Sequence, residues 1–253
     1  MPRDQRGEFT FRPFLVGGGR TEEDGAVRRL IVDAAGTRRY VDAQMDDYTG
    51  LSRKRFRWQS PLRLQVRARL SPEIRGTAGF GFWNDPFNPA AWSLPRLPDA
   101  LWFFYGSPPH DMALVPGVPG HGWKAAVMHV ARPGTFAWGL PMLPALVWAR
   151  LTGRTANASR VFRRLLAAHE APLDVDMGAW HQYVLDWGLR EVRFAVDGLQ
   201  VLCAPVALRG PLGFVAWIDN QYMVLTPRGQ FKWGLLEVTV PQWLEIEIEE
   251  LAQ

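Results

Sequence analysis

The segment Trp180-His181-Gln182-Tyr183-Val184-Leu185-Asp186-Trp187, followed by Val192-Arg193-Phe194-Ala195-Val196-Asp197-Gly198, constrains this chain more than any other. Side chains alternate across an extended strand, so His181, Tyr183, Leu185 and Trp187 share one face and Gln182, Val184 and Asp186 the other. Asp197-Gly198 then supplies the positive φ angles that a tight hairpin turn needs. The plainest reading of the aromatics is sheet packing, with Asp-Gly as the turn between two antiparallel strands.

The same alternation recurs elsewhere. Between Pro61 and Leu70, Leu62, Leu64, Val66, Ala68 and Leu70 point one way, and Arg63, Gln65, Arg67 and Arg69 the other. Near the C-terminus Leu244, Ile246 and Ile248 alternate with Glu245, Glu247 and Glu249. Both are half-buried antiparallel strands in pattern, and opposite charges on adjacent strands stabilise each other. The two are therefore expected to be neighbours in an outer sheet, with their Arg and Glu rows facing across. Four other runs are almost wholly apolar and read as inner-sheet strands: residues 76–85, 100–106, 123–130 and 213–222. In the first, Gly79, Gly81, Trp83 and Asp85 share a face; in the last, Val215, Trp217, Asp219 and Gln221 do.

The Trp-His-x-Tyr strand ending in Trp and the following Val-Asp-Gly resemble the concanavalin A-like lectin and glucanase sandwiches, above all their laminarinase and lichenase members. The resemblance implies an all-β, jelly-roll sandwich of two antiparallel sheets over residues 1–253, one domain, whose concave sheet is a ligand groove. It places Trp83, Asp85, Trp102, His181, Trp217, Asp219, Asn220 and Gln221 in or beside that groove. The plainer alternative keeps Trp83 and Trp217 in the core and makes Asp85 the cap of an Asn-Asp-Pro turn. Members of laminarinase type carry a Glu-x-Asp-x-x-Glu strand, and retaining hydrolysis needs its two catalytic carboxyls about 5–5.5 Å apart. By strand order that motif belongs near Leu101–Ser107, which reads Leu-Trp-Phe-Phe-Tyr-Gly-Ser and has no carboxylate. The nearest match, Glu245-Ile-Glu247-Ile-Glu249-Glu250, ends the chain on the expected outer sheet. Retaining glucanase chemistry is accordingly not expected.

Composition narrows the rest. A chain of 253 residues with 12 Trp, 14 Phe, 20 Pro and 24 Gly fits many short strands joined by tight turns. A single cysteine, Cys203, excludes an internal disulfide framework. The N-terminus lacks a secretory apolar run and no stretch of about 18 apolar residues occurs, so a cytoplasmic protein is the expectation. Arg53-Lys54-Arg55-Phe56-Arg57 is the one dense basic run; it reads as a solvated loop, and no nucleic-acid partner is expected. The five histidines have no zinc-type spacing, Asp46 and Asp47 lack a calcium-loop glycine pattern, and Gly17-Gly18-Gly19 reads as a flexible link, so neither metal nor cofactor is expected.

One stretch breaks the β pattern. Residues 136–173 read as a helical insertion or lid, with Val161, Phe162, Leu165, Leu166 and His169 at helical spacing among arginines. Extra core packing and a membrane-surface role are the competing readings. Two functions follow. One is a groove for a carbohydrate or glycoconjugate. The other is a lyase, hydrolase or cyclising isomerase under the lid, using Asp85 or Asp219 as a buried general acid near His110, because burial among tryptophans raises a carboxyl pKa.

Overall fold

The structure is a computed structural model that describes residues 11–86, 98–130, 166–225 and 231–253. In chain order its strands are β1 (Arg12–Val16), β2 (Arg20–Asp24), β3 (Val27–Val32), β4 (Asp42–Asp46), β5 (Leu62–Leu70), β6 (Thr77–Trp83), β7 (Ala100–Gly106), β8 (Gly122–Val130), β9 (Leu166–Pro172), β10 (His181–Trp187), β11 (Val192–Val196), β12 (Leu199–Ala204), β13 (Gly213–Asp219), β14 (Gln221–Leu225), β15 (Phe231–Leu235) and β16 (Gln242–Ala252). They form two seven-stranded antiparallel sheets, ordered β1-β4-β13-β6-β7-β8-β9 and β12-β11-β10-β5-β16-β3-β2, and a small β14-β15 ribbon.

The alternating strands pack as their periodicity requires. Tyr183, Leu185 and Trp187 of β10 point inward with Leu64, Val66 and Ala68 of β5. They meet Phe80, Phe82, Phe103, Trp123 and Phe214 of the opposite sheet in one continuous core. Aromatic rings cross this interface edge-on, Phe103 to Tyr183 at 4.9 Å between centroids and Phe103 to Phe194 at 5.1 Å. This is the ordinary preference of ring quadrupoles.

The expected pairing of the charged strands holds. In the β5–β16 register Arg69 faces Glu245 and Arg67 faces Glu247, and a bulge between Ile248 and Glu250 shifts the remaining pairs. Arg67 reaches Glu247 at 3.2 Å and Arg63 reaches Glu250 at 3.3 Å. Tryptophans interleave with these arginines. Arg67 and Arg69 lie over Trp180, while Arg69 and Arg29 lie over Trp243, each guanidinium 5.0–5.4 Å from a ring centre. The margins of this sheet differ. Edge strand β2 is built of Arg20, Thr21, Glu22, Glu23 and Asp24, whereas β12 is Leu-Gln-Val-Leu-Cys-Ala, with Leu199 74% exposed.

Three expectations change on contact with the structure. Leu166 to His169, expected to end a helix, belong to β9 and pair with β8, His169 opposite Val127; the rest of that segment, residues 136–165, lies outside the described residues. Gly17-Gly18-Gly19 is a β1–β2 turn, not a flexible link: a Cβ on Gly17 or Gly19 would sit 2.0 Å from the carbonyl oxygens of Tyr40 or Asp42. Arg53 is buried rather than solvated, donating to the carbonyls of Asn84, Asp85 and Pro86. No helix among the described residues is long and apolar enough to cross a membrane.

Candidate functional site

The sheet containing β6, β7 and β13 turns one face to the core and the other outward. On β13 the core takes Phe214, Ala216 and Ile218, so Val215, Trp217 and Asp219 face outward. The register runs unbroken and sets Trp217 opposite Gly79, Val215 opposite Gly81 and Asp219 opposite Thr77. On β7 the outward positions are Ala100, Trp102 and Phe104. The outer face thus repeats in rows across the strands. One row is Gln44, Trp217, Gly79, Phe104 and Lys124; the next is Asp46, Val215, Gly81, Trp102 and Ala126.

The glycines explain the aromatics. A Cβ on Gly79 would lie 2.8 Å from the Trp217 ring, and one on Gly81 would lie 2.7 Å from the Trp102 backbone. At Gly79 the missing Cβ leaves room for the Trp217 ring, and at Gly81 for the close approach of the β7 backbone that carries Trp102. Trp102 sits 6.1 Å from Trp83, 5.5 Å from Trp217 and 5.8 Å from Phe104 between centroids. The result is a half-buried platform of four rings. Polar groups fix its members: Trp83 Nε1 donates to the Tyr48 hydroxyl at 2.6 Å, and Trp217 Nε1 donates to Thr77 Oγ1 at 3.0 Å. The strand expected to carry a Glu-x-Asp-x-x-Glu motif presents Ala100, Trp102 and Phe104 at its outward positions.

Asp219 closes one end of the platform and is 1% exposed. Its Oδ1 accepts from Thr77 N, Thr77 Oγ1 and Gln221 N at 2.8–3.1 Å, and its Oδ2 accepts from Gln221 Nε2 at 2.6 Å. Burial nevertheless lifts its carboxyl to about 6, because desolvation outweighs those hydrogen bonds. Directly across on β4 stands Asp42, 3% exposed and raised well above the carboxylate range by burial and then by the Asp219 charge. Asp46, also on β4, accepts from the amides of Tyr48 and Thr49, from Thr49 Oγ1 and from Gln44 Nε2, which caps the turn after the strand.

His110 lies at the same end. Its ring rests on Gly106 and 5.2 Å from Phe104. Burial, assisted by Lys124 and His121, lowers its pKa to about 4, so it is neutral at pH 7. Nδ1 accepts from the Met223 amide at 3.3 Å, which puts the proton on Nε2, a buried atom without a hydrogen-bond partner among the described residues. The loop bearing His110 is strapped down by a buried ion pair. Lys124 Nζ meets Glu170 Oε1 at 2.7 Å and donates to the carbonyls of Met112 and Pro119, while Glu170 Oε2 accepts from Leu114 N and Val115 N.

The residues singled out from sequence are only partly brought together. Trp83, Trp102 and Trp217 form the platform; Asp219, Gln221 and His110 gather at one end of it. Asp85 does not join them. Six residue steps of extended strand separate Thr77, beside Asp219, from Trp83, about 20 Å at 3.3 Å per step. Asp85 lies beyond Trp83 with φ at 40°, and its carbonyl accepts from Arg53, so it belongs to the Asn-Asp-Pro turn. Asn220 is a structural clamp, its amide joining Val41 N, Arg39 O and Leu236 O at 3.0 Å. His181 lies in the other sheet, with Nδ1 2.6 Å from Asp197 and Nε2 3.0 Å from Asp176 O. Sequence reasoning passed over Asp42, Lys124 and Glu170. Asp-Ala-Gln-Met-Asp in β4 alternates, and a lone Lys in an apolar strand signals a buried partner; both signals were present.

No family model matches the chain, and no curated protein matches it in sequence. Among solved structures, the GlcNAcα1-4Gal releasing endo-β-galactosidase from Clostridium perfringens is similar at a TM-score of 0.51 and 10% identity, with 94% of this chain covering 58% of that one. The laminarinase from Flavobacterium sp. UMI-01 is similar at a TM-score of 0.50 and 12% identity, over 96% of this chain and 93% of that one. The chain therefore spans little more than half of the first protein and nearly all of the second. What is shared is the concanavalin A-like jelly-roll sandwich.

Proposed function

We propose that the outward face of the β6–β7–β13 sheet binds a carbohydrate or glycoconjugate, and does so without retaining glycosidase chemistry. The observation that carries this reading is the ring platform Trp83–Trp102–Trp217–Phe104 laid on Gly79 and Gly81. Flat aromatic faces match the C–H faces of sugar rings, and the donors and acceptors around them suit hydroxyl groups. The endo-β-galactosidase and the laminarinase, which share the fold, support a glycan as the ligand. The outward positions of β7 hold Ala, Trp, Phe and Gly, so this strand supplies no carboxyl pair of the kind that such hydrolysis requires.

A raised carboxyl pKa would favour the acid-catalysed alternative, and Asp219 has one. Both of its oxygens are engaged and it is sealed from solvent, which fits a structural group better than a proton donor to substrate. Calorimetric titration with laminari- and cello-oligosaccharides tests the reading. Binding by wild type with at least a tenfold loss in Trp102→Ala supports it. Equal binding by both proteins removes the platform from the function, and turnover that disappears in Asp219→Asn while affinity persists would favour catalysis.

A further inference from the structure

The outward face of the platform sheet is open at one end and closed at the other. One row of the register runs from β1 to β8 as Phe14, Gln44, Trp217, Gly79, Phe104 and Lys124. Exposure changes along it in one direction. Phe14, on edge strand β1, is 43% exposed, Gln44, Trp217 and Phe104 are half-buried, and Lys124 is 2% exposed. Over β13 the row has a bank on either side: Val215 is packed against Tyr48 and Phe56, and Asp219 is sealed beneath Gln221, with His110 further along on Gly106. Between these banks lies a trough floored by Gln44, Trp217 and Phe104. Its β8 end is walled. The outward side chains of Lys124, Ala126 and Met128 are all buried, Leu114 packs with Met128, and the Lys124–Glu170 pair ties down Met112, Leu114, Val115 and Pro119. At the β1 end Phe14 stands two strands from Trp217, about 10 Å at 4.8 Å per strand, the same interval that separates Trp217 from Phe104.

From this asymmetry we infer that the platform holds the end of a glycan chain and not an internal stretch: the terminal sugar abuts the strap of residues 112–119, and the chain leaves across Gln44 and over Phe14. The inference rests on the carbohydrate reading and adds which part of the glycan is held. A trough open at both ends admits any segment of a polymer. A wall at one end sets a continuing chain against packed side chains, and selectivity of this kind comes from what the site excludes. Phe14 then offers the last ring face on the way out.

The test titrates the whole protein with short and long size fractions of linear β-1,3- and β-1,4-glucans at equal molarity of chains, and with a cyclic β-1,3-glucan, which has no ends. One protein should bind per linear chain whatever its length, and the cyclic glucan should give no binding heat. A bulky aryl group on one terminus of a tetrasaccharide should weaken binding at least about tenfold, while the same group on the other terminus is tolerated. Phe14→Ala, a change at an exposed position, should weaken the long fraction about three- to tenfold, the loss of one ring contact, and leave trisaccharide affinity unchanged. Stoichiometry that grows with chain length, or a cyclic glucan that binds as tightly as a linear one, overturns the inference and leaves the glycan reading standing. If no glucan binds, linear or cyclic, both fall.

Discussion

Replacing Lys124 with Met tests the strap that holds the His110 loop to the platform. The ammonium and carboxylate of the Lys124–Glu170 pair are 2.7 Å apart with side chains only 3% and 1% exposed. All three ammonium protons are used, on Glu170, Met112 O and Pro119 O. Met fills the volume of the stem but leaves the Glu170 charge buried with two amide donors and no cation. Breaking one side of a buried pair costs about 3–5 kcal/mol, a large share of the roughly 5–15 kcal/mol that holds a domain folded. In the double variant Lys124→Met with Glu170→Met no charge is stranded. Only the amides of Leu114 and Val115 and the two carbonyls lose partners, so stability should recover to within about 1–3 kcal/mol of wild type. Urea unfolding at pH 7 of the four proteins gives the coupling energy directly, expected at about 2 kcal/mol or more. A loss below about 1 kcal/mol for Lys124→Met alone would refute the argument, because the pair would then be behaving as a solvated one.

Further outcomes follow from particular contacts. Burial lifts the carboxyls of Asp47 and Asp219 to about 6, so between about pH 4 and pH 6 the native state holds more protons than the unfolded chain. Their contribution to stability therefore falls as pH rises through that window, and Asp47→Asn should flatten the urea midpoint between pH 4 and pH 6.5 relative to wild type; an unchanged slope contradicts it. Gly79→Ala drives a methyl to within 2.3 Å of Phe103 O as well as into the Trp217 ring, so a loss of about 1–3 kcal/mol with altered tryptophan emission is expected. Glu247→Gln removes a pair whose side chains are 45% and 26% exposed, which should cost below about 1 kcal/mol and leave sugar binding intact; lost binding would give the charged sheet a functional role.

What could be read from the residues followed the physics of alternation. The β5 and β16 patterns identified both faces and the partner, because matching Arg and Glu rows are long enough to specify register. The platform strands were legible as apolar runs in which Gly and Trp share a face. Alternation does not say which sheet a strand joins, and the groove position that the resemblance implies for His181 is not met because β10 lies in the other sheet. It also lapses where the strand ends, as at Asp85, whose left-handed backbone carries it out of the Trp83 series. Leu166 to His169 satisfy helical spacing, but four residues are too few to distinguish a helix from a strand, and pairing with β8 decided the matter. The Asp42–Asp219 and Lys124–Glu170 pairs join residues far apart in sequence, and only the assembled sheet shows the first pair facing and the second meeting diagonally across β8 and β9.

The unequal margins of the β12-to-β2 sheet bear on how molecules of this protein meet one another. At β2, Arg20, Glu22, Glu23 and Asp24 surround the open backbone groups with charge, and a strand from a second molecule would have to strip water from all of them. Among the described residues the β12 margin carries no such row of charges: Leu199, Val201 and Leu202 flank amides and carbonyls that pair with no further strand, and the exposed Cys203 sits beside them. As concentration rises, association should begin there, strand against strand.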